Sequence, residues 1–302
     1  MKLYWLAGSL LSFTAVGAPA QTHALQSSSA HATAPKYDRQ MLFRATGPNG
    51  GTVFLLGSVH LLSPDAGKLP RVVDSVFERS KTVAFETSID SLQMRAFELF
   101  AKASYPKGKT LHSQFSPGGV ARLDTLLDAY GIPAEQVDGY KPWFVSLLFT
   151  QLVMKRANFS AQFGVDAQLN VRAREMGKTT VGLEPVDAQL GLFDNISAAD
   201  QERMVLESVG PDSSARMLME IKDAWQTGDA AALDRLLNKG LKDSPSLFAA
   251  LVTNRNTSWM PKIERLLQGQ DDALVVVGAA HLVGKQGVVE MLRARGYTVQ
   301  QM

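Results

Sequence analysis

Two histidines with the same preceding sequence lie near opposite ends of this 302-residue chain. Each closes a Gly-x-x-His motif, at residues 57–60 and 278–281, and each motif follows a run of four apolar residues. The pattern is typical of a buried parallel strand that stops at a glycine and then presents an imidazole. Glycine has no Cβ, so it permits a sharp turn or the close approach of a ligand. We therefore interpret His60 and His281 as parts of one site.

Two acidic side chains follow predicted strands in the same way. The short apolar runs 82–85 and 179–183 end directly before Glu86 and Glu184. Parallel strands of an open α/β sheet bring their carboxyl ends to one edge, and ligands bind at that edge. Imidazole and carboxylate groups bind zinc, manganese, cobalt or iron, and they also act as acids and bases toward bound water. We expect four side chains at this edge: His60, Glu86, Glu184 and His281.

The composition is that of an ordinary globular protein. Hydrophobic residues make up 45% of the chain and charged residues 20%, and the formal net charge is +2. Because no extended basic run accompanies this near balance, we expect no nucleic-acid partner. The chain has no cysteine, which excludes disulfides, thiolate metal sites and a cysteine nucleophile.

The first 38 residues differ in character from the rest. Residues 1–20 contain one lysine, a mostly apolar stretch and the sequence Ala18-Pro19-Ala20, which together predict a signal peptide cleaved after Ala20. Residues 21–38 are rich in Ser, Ala, Thr and His and predict a flexible leader. A membrane anchor is the alternative, although a span needs about 20 apolar residues. We expect a periplasmic or secreted protein with no stable membrane insertion after cleavage.

The remaining pattern predicts a single α/β domain over residues 39–302. We expect a mixed, largely parallel central sheet with flanking helices, opened by a β-hairpin and followed by a strand–helix–strand unit. Residues from about 91 to 178 have mostly helical spacing and predict a large helical insertion, and further helices follow from about 185 to 268. An amphipathic helix over 284–295 and a last strand close the chain.

Other catalytic motifs are absent from the sequence. It contains no Gly-x-Ser-x-Gly turn, no His-Glu-x-x-His and no phosphate-binding glycine loop. Ser58 is two residues from His60 on an extended or turning chain, so a productive serine–histidine bond is not expected, and we assign Ser58 to substrate binding. His112 lies in a polar loop with no strand before it, and we give it no role.

The sequence resembles the TraB/PrgY/GumN family, to which the Tiki metalloproteases are similar. Motifs over nearly the whole predicted domain carry the resemblance, in chain order: 55–60, 84–86, 164–166, 182–184, Arg255-Asn256 with Trp259, 277–284, Gly287 and Gly296-Tyr297. One departure is Asn254, which stands where an acid is expected before Arg-Asn.

The resemblance implies an α/β core related to the erythromycin-esterase-like and ChaN-like proteins. The Tiki branch further implies peptide hydrolysis that depends on manganese or cobalt, with zinc as another candidate ion. Carried over, the implied metal ligands are His60, Glu86 and His281. The implied catalytic residues are Glu86, Glu184, Arg255 and Asn256, and Ser58 and Asp166 are assigned to substrate binding.

These observations together predict a metal-dependent hydrolase acting on a peptide or small-molecule substrate. In this hypothesis the metal ion activates water, a strand-end carboxylate takes the proton, and Arg255 stabilises the oxyanion. For Glu184 and for Arg255, a purely structural ion pair is the alternative. A non-catalytic periplasmic protein that sequesters a peptide or small signal, and a metal-independent esterase-like hydrolase, are the two alternative functions.

Overall fold

Six β-strands in the described part of the chain form one sheet. The computed structural model describes residues 39–66, 68–193, 195–207, 211–238, 241 and 243–302, so the predicted signal peptide and leader lie outside the described residues. The strands are β1 (Leu42–Thr46), β2 (Thr52–Ser58), β3 (Thr82–Phe85), β4 (Thr179–Gly182), β5 (Ala273–Gly278) and β6 (Thr298–Gln301). Their order across the sheet is β4-β3-β5-β2-β1-β6.

The sheet is mixed and largely parallel, as the sequence predicts. Strands β4, β3, β5 and β2 run parallel to one another, whereas β1 is antiparallel to both β2 and β6. All residues of β2 and β5 are buried, which explains why both appear in the sequence as continuous apolar runs. The predicted hairpin is formed by β1 and β2.

Strand β5 lies between β2 and β3. The two strands of the predicted strand–helix–strand unit are therefore parallel but separated by a strand from the far end of the chain. In this register Ser58 pairs with Gly278, and Phe85 pairs with Val276. The carboxyl ends of both Gly-x-x-His strands thus lie side by side, next to the strand that precedes Glu86.

Most of the remaining described chain is helical. The helices are α1 (Arg71–Arg79), α2 (Ile89–Met94), α3 (Ala96–Ala103), α4 (Pro117–Tyr130), α5 (Pro142–Arg156), α6 (Val165–Glu175), α7 (Val186–Leu190), α8 (Ala198–Leu206), α9 (Pro211–Gln226), α10 (Ala230–Leu233), α11 (Pro245–Phe248), α12 (Asn254–Gln268), α13 (Ala279–Leu282) and α14 (Val288–Ala294). Two π-helical segments occur, at Asp234–Asn238 and Ala249–Thr253. Short 3₁₀ turns cover 64–66, 112–114, 134–136 and 161–163.

Some helix boundaries differ from the sequence pattern. The predicted helix over 245–268 divides into α11, a π-helical segment and α12. The predicted helix over 284–295 is present as the shorter α14, and a short helix that the pattern did not predict, α13, precedes it and contains His281. A π-helical turn inserts a residue into the helical repeat, and such turns occur often at functional sites. None of the helices among the described residues is long and apolar enough to cross a membrane.

Candidate active site

Four strand ends meet at the carboxyl edge of the sheet. His60 lies two residues beyond β2, Glu86 follows β3 directly, Glu184 lies two residues beyond β4, and His281 is in α13 directly after β5. Oε1 of Glu86 lies 3.9 Å from Nε2 of His60 and 3.9 Å from Nε2 of His281. Although 221 residues separate the two histidines in sequence (281 − 60), both therefore face one carboxylate oxygen.

Glu86 is buried and fully hydrogen-bonded. Its Oε1 accepts a hydrogen bond from the backbone N–H of Gly278 at 2.8 Å, and its Oε2 accepts from Nη2 of Arg255 at 2.7 Å and from Nε2 of Gln189 at 3.2 Å. Burial acts to raise the pKa of Glu86, but the Arg255 charge and the neighbouring donors hold it well below its usual range. Glu86 is therefore a carboxylate at neutral pH.

Arg255 connects the two glutamates and one histidine. Its Nε donates to Glu184 at 3.2 Å, its Nη2 donates to Glu184 at 2.6 Å and to Glu86, and its Nη1 lies 3.0 Å from Nε2 of His281. The other Nη1 hydrogen is directed to the carbonyl of Leu251 at 3.5 Å. A guanidinium has five N–H groups and no acceptor, so none is left to stabilise an oxyanion in this arrangement. Arg255 and Glu184 thus form a buried ion pair.

His281 is held in one tautomer. Arg255 can only donate, so Nε2 of His281 is the acceptor, and the proton is on Nδ1. Nδ1 lies 2.7 Å from Oδ1 of Asn256, whose Nδ2 donates to the carbonyls of His281 and Gln286 at 3.2 Å and 2.8 Å. Burial, together with the Arg255 charge, lowers the pKa of His281 to about 3. The imidazole is neutral, and its only lone pair is used by Arg255.

His60 has the opposite electrostatic environment. Its Nδ1 lies 3.1 Å from Oδ2 of Asp166 on α6, at ion-pair distance but without the alignment of a hydrogen bond. Burial acts to lower the pKa of His60, but the Asp166 carboxylate, with Glu86 beside it, raises it to about 9. The first turn of α6 approaches so closely that a Cβ on Gly164 would lie 2.1 Å from the His60 carbonyl oxygen. Only glycine allows that contact.

The glycine of the second motif is required by the site itself. A Cβ on Gly278 would lie 3.2 Å from both Oε1 of Glu86 and Nε2 of His60. A Cβ on Gly57, in the first motif, would lie 3.1 Å from the Cα of Ala279. The two glycines therefore serve close packing of side chains and backbone within the site.

Glu184 is the second carboxylate that contacts Arg255. Its Oε2 accepts a hydrogen bond from Nε1 of Trp259 at 3.0 Å, and its other contacts are those with Arg255. The Trp259 ring lies under the guanidinium, 4.9 Å from its Cζ, and 4.5 Å from the ring of His281. Every predicted site residue other than Ser58 thus belongs to one contact network, which consists of His60, Glu86, Asp166, Glu184, Arg255, Asn256 and His281.

A pocket opens beside the two histidines. It encloses about 490 Å³, part of it open to solvent, and it is lined by Ser58, Val59, His60, Leu61, Met154, Ile221, Leu237, Gly278, Ala279, Ala280 and His281. Ser58 is buried, and its Oγ has no hydrogen-bond partner within the described part of the chain.

Three residues that support the site were not predicted as site residues from the sequence. Gln189 of α7 donates to Glu86, and Trp259 donates to Glu184. Asn238, at the end of a π-helical segment, donates to the carbonyls of Ala280 at 3.2 Å and Val283 at 3.5 Å and so holds the His281 segment. Trp259 carries part of the family resemblance, whereas no local signal exists for the other two.

Two residues noted in the sequence lie outside this network: His112, which was given no role, and Asn254, which departs from the family pattern. His112 contacts Asp138 at 2.8 Å and Asp124 at 2.9 Å, in agreement with the absence of a strand before it. Asn254 is exposed at the start of α12, so the missing acid at that position leaves the described contacts of the site intact.

The donor atoms do not fit a bound divalent metal ion in this arrangement. Ligands of a tetrahedral zinc ion lie about 3.4 Å apart, whereas Oε1 of Glu86 lies 3.9 Å from each histidine nitrogen. More decisively, Nε2 of His281 accepts a hydrogen bond from Arg255, and a metal ion needs that lone pair. Within the described residues, no group of three or more His, Asp and Glu side chains is arranged to hold a metal ion.

The sequence of nearly all of the described residues matches one protein family. A profile of the TraB/PrgY/gumN family matches residues 41–301. The chain belongs to this family. Among its relatives is an uncharacterized protein, YbaP, of Escherichia coli (strain K12), which is 23% identical over 248 residues, covering 82% of this chain and 89% of the relative. YbaP of Shigella flexneri is 23% identical over 241 residues, covering 79% and 87%. No solved structure gives a significant match.

Proposed function

We propose that this chain is a hydrolase of acyl bonds, either esters or amides, in which His60 is the general base. The His60–Asp166 pair beside the pocket is the observation that carries the proposal. A buried carboxylate next to one imidazole nitrogen orients the ring and stabilises the imidazolium that forms when the other nitrogen takes a proton. Hydrolysis of peptide bonds, predicted from the sequence, falls within this reaction class.

The other polar groups of the cluster support the choice of His60. His281 is neutral, and its lone pair accepts from Arg255, so it has no free site for a proton from water. Glu86 has a strongly lowered pKa and is a weak base. The N–H groups of Arg255 are all directed to acceptors. We therefore assign Arg255 a positioning role and leave proton transfer to His60.

The reaction follows from these assignments. Nε2 of neutral His60 takes a proton from a water molecule as the water oxygen attacks the acyl carbon. The imidazolium formed is stabilised by the carboxylates of Asp166 and Glu86. It then gives the proton to the leaving oxygen or nitrogen, which departs as an alcohol or amine while the carboxylic acid is released. Ser58 Oγ, which has no other partner among the described residues, donates a hydrogen bond to the carbonyl oxygen.

The experiment compares purified wild-type protein, His60→Ala and the control His112→Ala on p-nitrophenyl acyl esters and on fluorogenic peptides. Loss of a general base lowers kcat/KM by a factor of about 100 to 10,000. We expect this loss in His60→Ala and none in His112→Ala, with wild-type activity retained after chelator treatment. Equal activity of His60→Ala and wild-type protein, or no hydrolysis by wild-type protein, would contradict the proposal; the second outcome would favour a binding protein.

Metal-dependent hydrolysis is a second candidate because of how the two histidines are supported. Both Nδ1 atoms face oxygen acceptors, Asp166 and Asn256, and both Nε2 atoms face Glu86, as in many metal sites. In this candidate Arg255 has to leave Nε2 of His281 first. Titration of chelator-treated protein with manganese, cobalt and zinc separates the two candidates, since only the second requires an added ion for activity.

A further inference from the structure

The pocket beside His60 has an aliphatic wall made by three separate parts of the chain. Met154 of α5, Ile221 of α9 and Leu237 of the first π-helical segment all line it, and Leu61 extends the wall near the end of β2. Among the described residues that line the pocket, only the two histidines have titratable side chains. A charged ligand group in this space would find no partner on the aliphatic wall.

The residues of the aliphatic wall are buried, and they line the pocket. Ile221 is only 3% exposed and Met154 only 1%, and both border the space of about 490 Å³, part of which is open to solvent. A ligand that fills this space with methylene groups removes apolar surface from water on both sides. Each buried methylene contributes a factor of about four in affinity, which is the 0.8 kcal/mol transfer value converted to a ratio.

One polar anchor lies at the histidine end of the same pocket. Ser58 Oγ is buried, lines the pocket and lacks a hydrogen-bond partner within the described residues. A buried hydroxyl without a partner is destabilising, so a ligand oxygen next to it restores the missing hydrogen bond. The pocket therefore combines one polar contact near His60 with an aliphatic interior.

We propose that this pocket selects acyl groups with an aliphatic chain. The carbonyl oxygen lies at Ser58, next to His60, and the chain extends toward Met154, Ile221 and Leu237. Branched or linear aliphatic groups, including leucine- and methionine-like side chains, are accepted, and acyl groups with a charge are rejected. This proposal rests on the proposed hydrolase function and names its substrate class.

Kinetics on a series of p-nitrophenyl esters tests this selectivity. In the wild type, kcat/KM increases about fourfold per methylene from acetyl to butanoyl to hexanoyl ester, and the succinyl half-ester is the poorest substrate. Ile221→Trp fills the pocket and lowers the hexanoyl-to-acetyl ratio at least tenfold. Met219→Trp is the matched control, because Met219 lies on the same helix and is 46% exposed, and it leaves the ratio unchanged. An unchanged ratio in Ile221→Trp overturns the proposal.

If Ile221→Trp fails to fold, Ala280→Val is the second variant, because Ala280 also lines the pocket. We expect it to lower the hexanoyl-to-acetyl ratio of kcat/KM as well. A binding measurement gives a readout that needs no catalysis. With methionine methyl groups labelled with carbon-13, the Met154 signal is expected to shift with hexanamide and to stay unchanged with acetamide. Binding of hexanamide without ester hydrolysis would contradict the proposed hydrolase function and would support the proposed preference of the pocket for aliphatic groups. Hydrolysis without preference for chain length, or no Met154 shift, would overturn the pocket proposal alone.

Discussion

Nη1 of Arg255 lies 3.0 Å from Nε2 of His281, and this contact gives two histidines from matching motifs different roles. The lone pair of His281 is engaged by a cation, and burial beside that cation keeps the ring neutral. His60 instead faces the Asp166 carboxylate, which favours its protonated form. The same local sequence therefore produces one fixed acceptor and one proton-exchanging group.

The pH dependence of catalysis tests the environment of His60. Only neutral His60 accepts a proton from water, so kcat/KM should increase tenfold per pH unit and level off near its pKa of about 9. Asp166→Asn removes the charge that raises this pKa and leaves the lowering effect of burial, so the midpoint should move to lower pH. A profile that is flat from pH 6 to 10 in the wild type, or unmoved in Asp166→Asn, would show that His60 is not the base.

Nitrogen-15 NMR tests the tautomer of His281. We expect a proton on Nδ1 and none on Nε2, with the ring staying neutral in acid until its pKa of about 3 or until unfolding. Asn256→Asp places a carboxylate beside Nδ1 and should raise the pKa of His281, whereas Asn256→Leu removes the acceptor without adding a charge. Titration of His281 near its ordinary pKa in the wild type would refute the assigned hydrogen-bond network.

Removal of the Arg255 charge should destabilise the fold. Arg255→Met leaves the buried carboxylates of Glu86 and Glu184 without their cation, and breaking a buried ion pair in this way costs about 3–5 kcal/mol. Urea unfolding measures the loss of unfolding free energy. Arg174→Met, whose ion pair with Asp90 is exposed, is the control and should change the value by less than about 1 kcal/mol. Equal losses in both variants would mean that the network does not stabilise the fold.

A single added methyl group tests how closely the site is packed. In Gly278→Ala the new Cβ would lie 3.2 Å from Glu86 Oε1 and His60 Nε2, so both side chains have to move by a few tenths of an ångström. We expect kcat/KM to fall by about tenfold or more, since small misplacements of catalytic groups are costly. Gly118→Ala, which has no atom within 4 Å of its new Cβ, is the control. Wild-type activity in Gly278→Ala would place the chemistry elsewhere.

Much of the fold could be predicted because β2 and β5 are buried on both faces. Continuous apolar runs that end at glycine are a strong local signal for such strands. The strand before Glu86 is also mostly buried, whereas β4, which precedes Glu184, is largely exposed at the edge of the sheet. The order of the strands across the sheet could not be predicted from local sequence patterns. The insertion of β5 between β2 and β3 depends on pairing with segments about 220 and about 190 residues away in sequence, which no local pattern encodes.

The residues of the candidate site could also be predicted only in part. His60, Glu86 and His281 could be identified from motif and strand position, and Arg255 and Asn256 from the family resemblance. Gln189 and Asn238 are polar residues on helical segments, and only the three-dimensional structure shows that they contact Glu86 and the His281 segment. The contact between His281 and Arg255 also depends on side-chain geometry, which a sequence pattern of two histidines and an acid does not contain.

Ester and peptide hydrolysis by chelator-treated, metal-free protein tests whether His60 acts as the base without a metal ion. We expect the wild type to remain active without added metal, manganese, cobalt or zinc not to increase the rate, and His60→Ala to lose the activity. Hydrolysis that begins only after one of these ions is added, together with binding of that ion by the wild type and not by His281→Ala, would contradict the proposed role of His60.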